Sequence, residues 1–487
     1  MREPFEDTSM SASPAAMPAP DENLPWYRGL SKYHWFVLVV CWMAWFFDTM
    51  AQQLFVLARA PAMTELLGPG VAKEDIKFYG GVATMILMFG WATGGIVFGI
   101  LGDRWGRAKT MILAVLCYSV FTVLSALSVT WIDFSIYRFL MGLGVGGTFG
   151  AAVAFVAEVM PARSRPYALG ALQALAAVGN MTAACISFAL PPGGVTFGIS
   201  GWRALFVVSV IPAILAILMM RRLKEPESWV RAKEAAARGE VQHKGKGMGG
   251  LRELFGDRRW LRNVLVGIVL GLAGIMGLWG IGFWQPELVR DVVAAGGQEA
   301  PSDPLFSFLA QYLPIKPTPD FYVSLAMLLF NGAAAVGTYF FAVLMGRIGR
   351  RPAFALMFIV AIAAVFGVFG FMTSPSQIWW MAPLLGLGTL TIFGGYSIYF
   401  PELFPTRLRA TGVGFCYNTA RYVAAMAPFT LGLLATVYAD WDLKFLSSMG
   451  GVDSGFRYAA LTVAGVFVMG LLVLPFAPET KGKPLPE

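Results

Sequence analysis

The chain has 487 residues, 57% of them hydrophobic and only 14% charged, whereas a soluble domain carries about 25% charged residues, so most of its surface must face lipid or other buried helices. The formal charge of +8 could serve a nucleic-acid partner, but most Lys and Arg fall on one side of the apolar segments, the positive-inside bias, so no nucleic acid is expected. Cys41, Cys117, Cys185 and Cys416 lie far apart inside apolar segments, and His34 and His243 lie at a helix mouth and in a loop; no metal spacing, disulfide framework or cofactor site follows.

Residues 1–30, rich in Pro, Ser, Ala and acid, read as a disordered tail with no cleavable signal peptide. Apolar stretches of about 20 residues, enough to cross a hydrocarbon core of roughly 30 Å, then follow one another. The pattern predicts spans near 34–58, 78–101, 109–129, 132–159, 166–190, 202–221, 262–286, 320–345, 352–372, 378–400, 411–438 and 457–476. An all-α integral membrane protein of twelve transmembrane helices follows, with six-helix bundles at 31–221 and 262–476. A hydrophilic linker, 222–261, joins them. It is either a solvated connector or, through its AKEAAARGE segment, a surface helix. A Pro- and Gly-rich external loop spans 287–319, and 477–487 form a second tail. Both termini are expected in the cytoplasm.

One passage occurs twice. Glu158, Pro161, Arg163, Arg165 and Gly170 recur with the same spacing as Glu402, Pro405, Arg407, Arg409 and Gly414. Arg104-Trp105-Gly106-Arg107 recurs as Arg347-Ile348-Gly349-Arg350. Each copy closes a long apolar segment, so the chain consists of two related membrane halves, the plan of secondary transporters. Glycine at 106 permits a tight turn, and Asp103 and the arginines offer charge pairs that latch one conformation and break in the other. Gly346 stands near the place of Asp103, so the two latches are expected to be unequal.

The passage Gly102-Asp103-Arg104-Trp105-Gly106-Arg107-Ala108-Lys109, its second copy and the repeated Glu–Pro–Arg–Arg residues resemble the signatures of the major facilitator superfamily over nearly the whole chain. Pro478-Glu479-Thr480-Lys481-Gly482 is similar to the ending of sugar-porter-type members. The resemblance implies two pseudo-symmetric bundles, a cytoplasmic gate built from the repeated residues, and alternating access. No phosphate-binding loop or nucleophile elbow is present, so no enzyme is expected.

Three charges fall inside spans, where a charge needs a cavity or a partner. Asp48 shares a polar, aromatic-edged face with Trp45 and Gln52. Arg138 lies about two turns in from the outer surface, at a depth where its side chain could meet Asp48. A nearby Arg favours the carboxylate, and removing it favours the protonated acid. The pair is therefore read either as a proton-coupling switch, the part that an Asp in span one and an Arg in span four play in the sugar porters this region resembles, or as a permanent ion pair. Arg421 has no acid nearby in its own helix. It is read as an anion ligand, by similarity of the run from Thr411 through Arg421 to Pro428 to the organic-ion branch, or as paired with a distant acid or a backbone carbonyl.

Span seven keeps Phe283-Trp284-Gln285-Pro286, but Ala273, Gly274 and Trp279 replace the polar residues of hexose porters, and Ser397 stands near the place of their span-ten tryptophan. Gln173 does match the sugar pattern. Trp45, Trp279, Phe283, Tyr396, Tyr399 and Tyr417 could line an amphipathic cavity, or face lipid as aromatic residues of spans often do. The expectation is proton-coupled uptake of a small organic anion such as a carboxylate by a monomer in the inner membrane. Its solute ligands would be Arg421, Gln52, Gln173, Trp45, Trp279, Phe283, Gln285 and Tyr396. A sugar or polyol porter is the alternative within transport, and a non-transporting solute sensor the alternative outside it.

Overall fold

Inside a hydrocarbon layer every backbone N–H and C=O must be satisfied within its own segment, so apolar spans fold as helices. The computed structural model describes residues 25–196, 198–209, 211–212, 214, 222–238, 248–295, 319–439, 441 and 443–486. The first half comprises α1 (Lys32–Leu67), α2 (Lys73–Trp105), α3 (Arg107–Ser125), α4 (Trp131–Val159), α5 (Arg165–Ala189), a two-residue antiparallel hairpin pairing Val195–Thr196 with Ile199–Ser200, and α6 (Gly201–Val208). The linker contains α7 (Glu227–Ala237) and α8 (Leu251–Gly256). The second half comprises α9 (Arg258–Gly280), α10 (Gln285–Ala295), α11 (Pro319–Ile348), α12 (Arg350–Phe371), α13 (Ile378–Thr389), α14 (Ile392–Glu402), α15 (Arg409–Ala424), α16 (Ala427–Ala439), α17 (Gly455–Val463) and α18 (Gly465–Val473).

Ten stretches among the described residues are long and apolar enough to cross a membrane. Span six, whose second part lies largely outside the described residues, and span eleven, divided between α15 and α16, complete the twelve-helix architecture. Local chemistry explains the breaks. Ser31 and His34 form a capping box that starts α1, and Thr130 with Asp133 does the same for α4. Helix α15 ends at Ala424, four residues before Pro428, because a proline ring clashes with the carbonyl four residues earlier. Arg421 thus lies in a last helical turn, where carbonyls left without partners favour a cation.

The halves meet along α2 with α15 and α5 with α11. Gly95 and Gly414 make the first contact possible: a Cβ on Gly414 would overlap the backbone carbonyl of Gly95. Two expectations change. Residues 25–30 belong to the fold rather than to a tail, since Trp26 stacks on Tyr167 at 6.0 Å and its carbonyl accepts the Ser164 hydroxyl at 2.5 Å; residues 1–24 lie outside the described residues. The external loop begins later than predicted, because Pro286 sits in the first turn of α10, where a missing N–H costs nothing. The stretch 296–318 lies outside the described residues.

Candidate functional site

At the motif end of the molecule, the carboxylate of Asp103 reaches from α2 to the opposite half. It accepts the backbone N–H groups of Ala410 at 3.1 Å and Thr411 at 2.8 Å, and the Thr411 hydroxyl at 2.6 Å. These are first-turn amides of α15, which have no partner within the helix, so Asp103 acts as an N-cap supplied by the other bundle. Arg107 pairs with Asp103 at 3.0 Å and Glu158 at 2.9 Å, and Arg409 of the second half shares the same Glu158 oxygen at 2.9 Å. All four groups are buried, so each charge depends on the others for compensation.

The second copy is built differently. Arg350 pairs with Glu402 at 2.6 Å, and the Thr480 hydroxyl donates to Glu402 at 2.6 Å. Both partners belong to the same half. Gly346 supplies no carboxylate to reach across, so the expected inequality has a structural cause. Arg104 and Arg347, also read as gate residues, do not enter these networks: both side chains point outward and are exposed. Arg165 is part-buried and donates weakly to the Met160 carbonyl at 3.4 Å, while Arg163 is likewise part-buried.

The linker is no free connector. Glu225 accepts the first-turn amides of α3 from Ala108 and Lys109, each at 3.2 Å. Trp229 of α7 is buried and donates its indole N–H to the Asp103 carbonyl at 2.7 Å. Glu253 of α8 pairs with Arg407 at 2.7 Å. Glu479 mirrors Glu225 in the second half, accepting the amides of Arg350 and Arg351, each at 3.0 Å. Sequence reasoning missed these carboxylates. A partial signal existed: Pro226-Glu227-Ser228 echoes Pro478-Glu479-Thr480, and Ser228 lies 3.4 Å from Glu158 as Thr480 lies against Glu402, but the echo aligns Glu479 with Glu227, whereas Glu225 caps α3.

Deeper in, a chain of rings joins the two halves. Trp45 packs on Phe149 with centroids 4.9 Å apart, and Phe149 stacks on Tyr417 at 3.8 Å. The Arg421 guanidinium lies 4.4 Å from the Tyr417 ring and 3.9 Å from the Trp91 ring, and Trp91 meets Trp279 edge-on at 6.4 Å. Aromatic faces stabilise the cation without neutralising it. Arg421 Nη1 donates to the Tyr417 carbonyl at 2.8 Å and to Asn418 Oδ1 at 2.9 Å, while its Nε has no partner. No acid lies within ion-pair distance of Arg421 among the described residues. The backbone partner allowed from sequence is therefore present, and part of the fork is still unengaged.

The Asp48–Arg138 pairing is corrected. Arg138 donates to the Ser125 hydroxyl and toward the carbonyls of Phe121 and Thr122, and sits over the rings of Phe55, Phe134 and Phe206 at 4.6–5.6 Å. The end of α3 offers these oxygens: the Ser125 hydroxyl, and carbonyls of its last turns, of which that of Thr122 is among the four without a partner in an ideal helix. Asp48, also fully buried, accepts from Gln52 at 3.3 Å, and its second oxygen has no partner. The ring chain that starts at Trp45, three residues before it in α1, leads through Phe149 and Tyr417 to Arg421. Thr49 donates to the Ala176 carbonyl at 3.2 Å, which holds Asp48 beside α5.

The remaining predicted ligands divide. Gln173 is part-buried with a free amide oxygen. Gln285 is buried at the start of α10 with neither amide atom partnered, but no ring contact ties it to the chain from Trp45 to Trp279. Tyr396 donates its hydroxyl to the Leu270 carbonyl at 2.5 Å and Tyr399 to the Pro478 carbonyl at 2.7 Å, so both serve packing. The side chain of Phe283 lies outside the described residues. Phe149 and Trp91, which complete the ring chain, sit in apolar runs whose pattern does not distinguish them from lipid-facing aromatics.

Across residues 41–429 the chain matches the model of the Major Facilitator Superfamily. The chain belongs to that family. It is a multi-pass membrane transporter and not an enzyme. It is 26% identical over 462 residues to a probable 4-methylmuconolactone transporter of Cupriavidus pinatubonensis, covering 94% of this chain and 93% of the relative. It is 27% identical over 406 residues to a cis,cis-muconate transport protein of Acinetobacter baylyi, covering 83% and 86%. Among solved structures it superposes on the proton:xylose symporter XylE with a TM-score of 0.69 at 18% identity, covering 93% of this chain and 98% of that one. At that identity the likeness establishes the fold.

Proposed function

We propose that this transporter imports a small organic anion, with carboxylates as the favoured class, together with protons across the inner membrane. Both termini then lie in the cytoplasm, and the bundles 31–221 and 262–476 are the bodies that rock. One observation carries the reading: a buried guanidinium, clamped between two rings from opposite bundles, keeps its Nε free and has no acid within ion-pair distance among the described residues. Such a group is tolerable in a membrane if it faces the solute path and receives an anion there. The similarity to a cis,cis-muconate transport protein and to a probable 4-methylmuconolactone transporter supports the same class.

Asp48 is the proton carrier in this reading, and Arg421 rather than Arg138 is its electrostatic counterpart. A solute carboxylate on Arg421 takes over the charge that stabilises ionised Asp48, so solute binding and protonation of Asp48 favour one another.

Binding to purified, folded protein tests the anion site. Arg421→Ala should lose about 1.5–3 kcal/mol of carboxylate affinity, the worth of a charged hydrogen bond, and Arg421→Lys should retain part of it. Asp48→Asn should keep counterflow in proteoliposomes and lose accumulation against a gradient. Unchanged carboxylate affinity in Arg421→Ala, with binding of xylose, would put the sugar or polyol porter first. Solute binding without counterflow in the wild type would indicate a sensor.

A further inference from the structure

We propose that Asn418 is a positioning residue of the anion site, setting the direction in which Arg421 presents its fork, and that Gly95 of the opposite bundle holds Asn418 in place. The proposal rests on the reading of Arg421 as the anion ligand. A guanidinium has two protons on Nη1, and both are used here, one by the Tyr417 carbonyl at 2.8 Å and one by Asn418 Oδ1 at 2.9 Å. The rings of Trp91 and Tyr417 fix its plane. With one nitrogen tied and the plane set, the Nε–Nη2 edge is left without hydrogen bonds among the described residues. That edge is the one whose two parallel N–H groups match a carboxylate.

Asn418 is itself held on two sides. Its amide nitrogen donates to the Gly414 carbonyl at 3.1 Å, one turn back in α15, and the side chain is fully buried. On its other side stands Gly95 of α2, and a Cβ there would fall on the Asn418 amide. A residue of the first half therefore leaves the space in which a residue of the second half aims the cation. When the halves part, α2 withdraws from Asn418 and the aim relaxes. Anion recognition is thereby tied to closure of the bundles along the α2–α15 contact.

The test uses full-length purified protein and, as probes, benzoate, nicotinate and cis,cis-muconate with the matching neutral carboxamides. Asn418→Asp nearly preserves shape but sets a carboxylate against the fork. It should lower carboxylate affinity at least about tenfold, the factor for a charged hydrogen bond, and change carboxamide affinity less than about twofold. Asn418→Ala should raise the KM for carboxylate counterflow severalfold with Vmax retained, a pattern that loss of packing alone would not give. Equal changes for carboxylate and carboxamide, or unchanged carboxylate affinity in Asn418→Asp, overturn the proposal. If Asn418→Asp yields no folded protein, the KM–Vmax split in Asn418→Ala decides. Loss of carboxylate binding in Arg421→Ala but not in the Asn418 variants would sink the positioning role alone; a wild type that binds none of the carboxylates would sink the anion reading with it.

Discussion

The two copies of the repeated motif share residue types and differ in what they connect. In the first, Asp103 and Glu158 bind groups of the opposite bundle: the first turn of α15 and Arg409. In the second, the hydrogen bonds and ion pairs of Arg350, Glu402 and Glu479 among the described residues stay within one half: Arg350 joins Glu402 and the Met345 carbonyl, Thr480 donates to Glu402, and Glu479 accepts the amides that start α12 and those of Thr480 and Lys481. Gly346, where the first copy has Asp103, removes one of the two links that make the first copy a latch between bundles; the other is the Glu158–Arg409 pair, whose repeat counterparts, Glu402 and Arg165, form no ion pair with each other among the described residues. A repeated sequence thus need not mean a repeated mechanical role.

The largest expected effect breaks the latch. Asp103→Asn replaces one accepting oxygen with a donor facing donors and removes a charge from a buried network. Removing one member of a buried pair costs about 3–5 kcal/mol, here only in the state where the bundles meet at the motif end. Accessibility of Ala410→Cys, a position whose link to Asp103 is its backbone N–H, to a water-soluble thiol reagent should rise sharply. Glu402→Gln should lower thermal stability and leave that accessibility unchanged, since its partners stay together in both states. Equal accessibility in the two variants would refute the division of roles.

A smaller effect separates the two turns. Gly106 has φ 121° and ψ 154°, Gly349 φ 99° and ψ 170°, a region essentially reserved for glycine. Alanine at either site should cost about 1–3 kcal/mol in strain. At Gly106 the added Cβ would also overlap the Glu225 carboxylate, whereas at Gly349 it would lie 3.1 Å from Glu479 Oε2. Gly106→Ala should therefore melt lower than Gly349→Ala, and Gly106→Leu should not transport. Scanning calorimetry of the pair checks the order.

How much of this was legible in the sequence depends on the range of the interaction. Span positions follow from hydropathy, and the repeat revealed two related halves. Asp103, Glu158, Arg409 and Arg421 could be singled out because a charge at a membrane boundary or inside it is conspicuous. What they touch was not legible. Asp48 and Arg138 were paired on depth alone, but depth along a helix leaves azimuth open, and Arg138 turns toward the end of α3. Arg104 and Arg347 share a motif with buried neighbours, yet face outward. The linker's role was hidden because Glu225 and Trp229 look ordinary in a polar segment until α3 and Asp103 are beside them.

The smallest effect concerns the carboxylates that cap α3 and α12. Glu479 is only partly buried; burial pushes its carboxyl up, but the amides of Arg350, Arg351, Lys481 and Thr480 outweigh this and hold it below the usual range. A depressed carboxyl stabilises the docked tail above its unfolded value and ceases to do so as pH falls through its folded one. The tail should therefore stay docked at pH values near 4.3, where an ordinary glutamate is half protonated, and loosen only below them. A spin label at Lys483→Cys should gain mobility in that lower window, and Glu479→Gln should shift the gain to neutral pH. In the first half, Glu225→Gln should leave a label at Ala237→Cys in the linker immobile, because Trp229 and the Glu253–Arg407 pair also hold that segment. The tail is held besides Glu479 by single hydrogen bonds, from Tyr399 to the Pro478 carbonyl, Thr480 to Glu402, Lys481 to the Arg347 carbonyl and Arg409 to the Pro486 carbonyl, and by no buried ring comparable to Trp229 among the described residues. Acid should thus loosen the brace of the second half while the linker beneath the latch stays docked, and simultaneous release of both segments would show that they are one cooperative unit.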